Sequence, residues 1–325
     1  MRRRASVLAA LAAAVALPGC TDSGRDVAAP AAPTPSPPPQ DFPKPVPGDT
    51  LAEVESGLPE GPILQPAVSL LEKGSNRLGF ALFDAARTQL SGAEVALYTA
   101  RPDGTGVRGP FVARSESLAV RRSFASESTR KDPDAAKSVY VADAPFKRSG
   151  SVAVTALVRL DGRLMRTAPT GMTVGTKDSA PPGVGDRAIP IDTATSASVG
   201  GDLARIDTRV PPAPTLHREN FRDVLARKPV VIVFATPELC QSRVCGPVVD
   251  VALQVQAAVG DDVSFVHQEV FNDNRVAKGM RPQLGAWRLA TEPWTFVIDR
   301  AGIIRARFEG ALSAAELRRA VAEVE

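Results

Sequence analysis

"ATPELCQSRVCGPVVD", residues 235–250, holds two of the chain's three cysteines, Cys240 and Cys245, with four residues between them. It continues "PVVIVFAT" (229–236), an unbroken apolar run that reads as a strand buried on both faces. It leads into "GPVVDVALQVQAAVG" (246–260), where Val248, Val251, Ala252, Val255 and Val259 share one face of a helix. A strand, a cysteine-bearing loop and a helix therefore meet here, with Cys245 at or just before the helix start. Pro247 suits a first turn, where its missing N–H costs nothing. Unpaired N–H groups at a helix N-terminus stabilise a thiolate and lower its pKa. This makes position 245 a sensible place for a nucleophilic sulfur, and Arg243 adds positive potential beside it.

Outward from this stretch, strands and helices alternate over residues 209–325. "RENFRDVLAR" (218–227) predicts a short amphipathic helix and "VSFVHQEV" (263–270) a second strand. "TFVIDRAGIIRARFEG" (295–310) predicts a hairpin turned at Asp299 to Gly302. "LSAAELRRAVAEVE" (312–325) predicts a last helix, with Ser313 as cap and Glu316 completing a capping box.

Residues 67–176 carry a different period. Leu78, Phe80 and Leu82 alternate with polar or small residues, as do Val95 and Leu97, and Val152, Val154, Ala156 and Val158. Asp161-Gly162 supplies a hairpin turn. Several short strands with turn residues between them predict a small β-sandwich, similar in pattern to immunoglobulin-like envelope domains. The expected architecture is multidomain: this sandwich followed by an α/β unit. Residues 177–208, rich in Gly, Pro, Ser and Thr, read as a linker that can lie along a neighbouring domain. Residues 21–66, with "APAAPTPSPPPQDFPKPVPG", read as a disordered, extended tether.

The first residues bear on location. "MRRR" is a cationic start, "ASVLAALAAAVAL" a short apolar run, and "LPGC" ends at Cys20. This resembles a bacterial lipoprotein signal. The resemblance implies cleavage before Cys20, a diacylglycerol on its sulfur, and a protein held by that lipid at the extracytoplasmic face of the cell membrane. Two thiols then remain in an oxidising milieu, and they most simply pair as a disulfide. Charge is close to balanced, 39 Lys and Arg against 36 Asp and Glu, and aromatics make up 5% of residues. With no basic block interleaved with aromatics, no nucleic-acid partner is expected. No P-loop, dinucleotide fingerprint, zinc-protease motif or Ser-His-Asp arrangement stands out.

The order of elements over the last 110 or so residues resembles the thioredoxin fold. "VVIVFATP", "CGPVVD" opening a helix, "TEPWTFVID" with a proline just before a strand, and the closing hairpin and helix carry the resemblance. It implies that Cys245-Gly246-Pro247 stands for the start of a C-G-P-C motif, with Cys245 as nucleophile. Val248 occupies the place of the resolving cysteine, so Cys240 must take that role. The resemblance further implies a cis peptide bond before Pro293, with Glu292 presenting backbone groups to a bound peptide or thiol. The buried acid that assists thioredoxins is absent where it is sought, at Ile232. The expected activity is dithiol–disulfide exchange with thiols or disulfides of other envelope proteins, without a cofactor.

Other readings stay open. The spacing of Ser242 to Cys245 is similar to part of a peroxiredoxin motif, with Arg243 or Arg288 as the arginine it requires. Copper-binding assembly proteins of the same fold use two cysteines and a distant histidine, here His217 or His267. His267 lies in mid-strand and reads as structural, whereas His217 precedes a helix and reads as exposed. A static disulfide in a non-enzymatic interaction protein is the remaining case. Met280 and Arg281 are placed near the expected redox face.

Overall fold

The structure, a computed structural model, describes residue 38, residues 41–176 and residues 180–325. Cys20, the signal segment and most of the tether lie outside the described residues.

The alternating segments of the first unit form strands β1 (Ile63–Pro66), β2 (Gly74–Phe83), β3 (Gln89–Leu90), β4 (Glu94–Ala100), β5 (Arg108–Ser117), β6 (Ser138–Phe146), β7 (Gly150–Leu160), β8 (Arg163–Arg166) and β9 (Thr170–Val174). They make one sheet in the order β1-β2-β6-β5-β4-β7-β8, with β3 on β2 and β9 on β7. Its first half, residues 108–113 of β5, pairs with β4; residues 114–117 pair with β6. The sheet therefore curls at β5. Leu78, Phe80, Leu82 and Tyr140 from one half share a core with Val95, Leu97, Val154, Ala156 and Val158 from the other. Each Val, Leu or Phe buried in this way contributes about 1.5–3 kcal/mol. Asp161 and Gly162, both at positive φ, turn β7 into β8 as their sequence predicts.

Part of the expected tether is ordered, which corrects the boundary at residue 66. Phe42 and Leu51 are buried with Tyr98 and Leu157 on the outer face of the curled sheet. The Tyr98 hydroxyl donates to the Pro43 carbonyl at 2.6 Å. Helix α1 (Leu51–Val54) is held by a Thr50/Glu53 capping box, and β1 pairs with β2. Prolines keep this segment extended, but isolated apolar side chains are enough to seat it.

The second unit is a four-stranded sheet. β10 (Val230–Phe234) lies between β11 (Ser264–Gln268) and β12 (Trp294–Ile298), and β13 (Ile304–Glu309) is outermost beside β12. β10 and β11 are parallel, while the other two pairings are antiparallel. Parallel neighbours need a crossover, and α4 (Cys245–Val259) supplies it. One face of the sheet packs Val231, Val233 and Phe265 against Val248, Val251, Ala252 and Val255 of α4, and against α6 (Ala314–Ala322). Ser313 and Glu316 form the predicted capping box on α6. The other face packs Phe234, Phe296 and Trp287 under α3 (Phe221–Val224) and α5 (Pro282–Ala286). Ala188 and Ile191, from the expected linker, belong to this core. That segment is packed along the sheet.

The two units meet through buried polar side chains. Glu316 pairs with Arg77 at 2.8 Å and Arg114 at 3.1 Å, and the Ser313 hydroxyl donates to Glu116 at 2.6 Å. Between β5 and β6, residues 118–137 carry a short helix, α2 (Glu127–Lys131), capped by Ser126. The backbone N–H and the hydroxyl of Ser126 both donate to Asp250 of α4 at 2.9 Å, and Arg209 pairs with the same carboxylate at 2.8 Å. This segment of the first unit thus sits on the start of α4, beside the cysteines.

Candidate functional site

β10 ends at Phe234, and the loop 235–244 carries Cys240 to the mouth of α4. Cys245 is the first residue of that helix, as its sequence predicts. Arg243 reverses the loop in a left-handed conformation, φ 56°. Both cysteines are free in this structure, without the expected disulfide between them. One carboxylate oxygen of Glu292 and the two sulfurs lie within 4.8 Å of one another. Glu292 immediately precedes Pro293, and the bond between them is cis, as expected. The loop ahead of β12 therefore faces the loop after β10.

The two sulfurs are not equivalent. Cys245 is 0% exposed and Cys240 is 9% exposed. The Cys240 sulfur lies 3.2 Å from the Ser242 hydroxyl, beside the Cys245 thiol and the backbone N–H groups of Cys245 and Val244. Against the opposing effect of burial, these donors bring its pKa down to about 6. Burial pushes the Cys245 thiol well up, and the neighbouring Cys240 sulfur and Glu292 add to that. The N–H groups at the start of α4 lie beside Cys240 and favour its thiolate.

Glu292 is more than a backbone contact. Burial first, then the Cys240 and Glu269 charges, raise its carboxyl to about 7. It places a half-buried carboxyl beside the thiols, whereas Ile232 belongs to the aromatic side of the sheet. No spacing signal marks this carboxyl in the sequence; only its place next to the proline points to the site.

Cys240 opens onto a pocket of about 660 Å³. One wall is the loop and helix start, with Gln241, Arg243 and Pro247; the other is the Glu127–Asp132 segment of the first unit. Gly246 lets the walls approach: a Cβ there would lie 3.1 Å from the Ser128 Oγ. Arg243 is engaged by Asp132 at 2.6 Å and Asp134 at 3.2 Å, and Arg288 donates to the Ala180 carbonyl. Both arginines offered for a peroxide site are thus committed elsewhere. Met280 and Arg281 do not line the pocket. Arg281 instead donates to the carbonyls of Val270 and Phe271.

Neither histidine joins the cysteines. His217 is 1% exposed, which corrects its expected exposure, and it lies with His267 and Asp207 in a separate buried cluster. The copper reading through Cys240, Cys245 and His267 therefore loses its third ligand. Trp294 is buried, with its indole N–H donating to Thr291, as a core residue.

No family model matches the chain, and no curated protein matches it. Among solved structures, the crystal structure of the Lin-41 filamin domain is similar at 17% identity, over 37% of this chain and 98% of that one, with a TM-score of 0.20. At that score the likeness carries no inference about function. The chain is mostly β-sheet, a curled sheet joined to a smaller sheet with helices, and its candidate site is the pair Cys240/Cys245 with Glu292.

Proposed function

We propose that this protein is an exported, lipid-anchored thiol–disulfide exchange protein whose C-terminal unit is a thioredoxin-like domain. The observation that carries the reading is the placement of the two sulfurs and a Glu292 carboxylate oxygen within 4.8 Å of one another, with Cys240 facing a pocket and Cys245 buried behind it. The strand order β11-β10-β12-β13, the crossover through α4 and the cis bond before Pro293 support it. The "LPGC" stretch supports a lipid on Cys20. Among the described residues, no helix is long and apolar enough to cross a membrane. The curled sheet acts as an immunoglobulin-like module that holds the site at a distance from the lipid and forms one pocket wall.

In the reductive direction, the Cys240 thiolate attacks a sulfur of a substrate disulfide. A Cys240–substrate S–S bond forms, the substrate disulfide breaks, and the departing sulfur leaves as a thiolate. Cys245 gives its proton to Glu292 and attacks the Cys240 sulfur. The Cys240–Cys245 disulfide forms, and the substrate's second sulfur leaves and takes a proton from the same carboxyl. A dithiol donor in the envelope restores the pair; read backwards, the same steps oxidise a substrate. The substrates are thiols or disulfides of envelope proteins.

The test is trapping. With Cys245→Ser, a peptide disulfide is expected to accumulate as a mixed disulfide on Cys240, found by mass spectrometry of the digest. With Cys240→Ser none is expected. A mixed disulfide on Cys245, or none in either variant, would refute the proposal.

A further inference from the structure

Behind the site, on the α4 side of the sheet, lies a second cluster that thiol exchange does not use. His267 is on β11. His217 ends a short 3-10 helix at Pro214–His217, and Asp207 lies on the segment before it. The three are buried, at 1%, 1% and 2% exposure. The imidazole rings are 5.2 Å apart and tilted by 60°. Nε2 of His217 lies 3.3 Å from Oδ2 of Asp207, and Nδ1 of His267 lies 3.6 Å from Oδ1.

The hydrogen bonding around this cluster is one-sided. Nε2 of His267 is 2.9 Å from the Ala235 carbonyl. A carbonyl only accepts, so that nitrogen carries the hydrogen and Nδ1 of the neutral ring carries a lone pair. The lone pair faces a carboxylate oxygen. Asp207 is itself fixed by backbone donors, Arg209 N–H on Oδ1 at 2.9 Å and Ala213 N–H on Oδ2 at 2.8 Å, which leaves each oxygen a lone pair for an imidazole. Among the described residues, neither ring nitrogen of His217, nor Nδ1 of His267, has a hydrogen-bond partner. Buried polar atoms left this way are rare in folded proteins.

A positive charge between the three side chains resolves the conflict, and its source is a proton or a metal ion. A proton on His267 meets Oδ1 only at 3.6 Å, beyond hydrogen-bond range, and leaves His217 as unpartnered as before. A zinc ion bonded at about 2.0–2.2 Å to nitrogen and oxygen holds tetrahedral ligands about 3.3 Å apart, close to the two separations found. Histidine that binds a metal also typically donates its other N–H to a carbonyl or carboxylate, as His267 does to Ala235.

We infer that Asp207, His217 and His267 form a buried structural site for one divalent transition-metal ion of the zinc class. Two imidazole nitrogens and one oxygen of Asp207 supply three donor atoms, and the burial of all three residues closes the site to any substrate, so the ion serves no reaction. It pins residues 207–217 to β11 and, through the Ala235 carbonyl, steadies the end of β10 just before the cysteine loop.

The experiment uses the full chain with Cys20, Cys240 and Cys245 all changed to Ser, so that no thiolate competes. The chelator-treated protein is titrated with Zn²⁺ in a calorimeter and with Co²⁺ in a spectrophotometer. One equivalent of Zn²⁺, a rise in melting temperature, and cobalt d–d bands without sulfur charge transfer are expected. His217→Gln and His267→Gln, checked for folding by circular dichroism, are each expected to weaken binding at least 100-fold. Failure of the triple-serine chain to bind one equivalent overturns the inference whether or not the histidine variants fold. So does binding that survives both substitutions.

Discussion

The molecule contains two clusters of the same form, one carboxyl group between two potential metal or proton ligands, and they behave as opposites. At Cys240, Cys245 and Glu292 the carboxyl is pushed up to about 7 and one thiol is drawn down to about 6. At Asp207, His217 and His267 burial is outweighed by the two imidazoles, and the carboxyl is held down to about 2. The first cluster opens on a pocket; the second is closed on all sides. Hydrogen-bond donors that lower the thiol, and burial with nearby negative charge that raises the carboxyl, bring two pKa values near neutrality, where protons move readily. A sealed site with a backbone donor on each carboxylate oxygen fixes one charge state. Access and surroundings, rather than residue count, separate a reactive centre from a structural one.

The comparison breaks most completely at Cys240. Cys240→Ser is expected to abolish insulin or peptide-disulfide turnover, while leaving the unfolding midpoint in denaturant nearly unchanged. On the structural side, Asp250→Ala leaves Arg209 buried without its partner and is expected to cost about 3–5 kcal/mol in urea unfolding. Next comes Glu292→Gln. Loss of a positioned acid-base group lowers turnover by about 10²-fold, with substrate KM little changed. The sign of its pH effect is also set. A carboxyl raised from 4.5 to about 7 favours the neutral form in the folded chain. Its stabilisation is full below pH 4.5 and lost as pH rises through 7, and Glu292→Gln is expected to remove that decline from a melting-temperature profile. Smallest is Ser313→Ala, which removes the α6 cap and a donor to Glu116, costing about 1–2 kcal/mol in unfolding and leaving exchange rates unchanged.

How much of this was legible in the sequence follows from which interactions are local. Apolar runs and cap residues are local, so β10, α4, the Asp161-Gly162 turn and the Ser313/Glu316 box could all be read directly. So could the placement of Cys245 at a helix start. Which sulfur lies nearer the helix N–H groups depends on a loop reversal at Arg243 that spacing does not encode. Glu292 was named for its backbone, but its carboxyl matters because β12 brings it back to the loop after β10. The same holds for His217: its burial depends on contacts with β11, fifty residues away in the chain. Residues 42–66 were misread for a different reason. Their composition speaks of an unfolded chain, and the few side chains that dock them, Phe42 and Leu51, are a minority in it.

The account rests on Cys240 as the attacking sulfur, and alkylation of the reduced protein tests this most directly. Iodoacetamide added below one equivalent, across a pH series, followed by mass spectrometry of the digest, gives the modification rate of each cysteine. Modification of Cys240 ahead of Cys245, with a rate that rises about a midpoint near pH 6, is the predicted result. Modification of Cys245 first, or a Cys240 midpoint near 9, the ordinary thiol value, would contradict it.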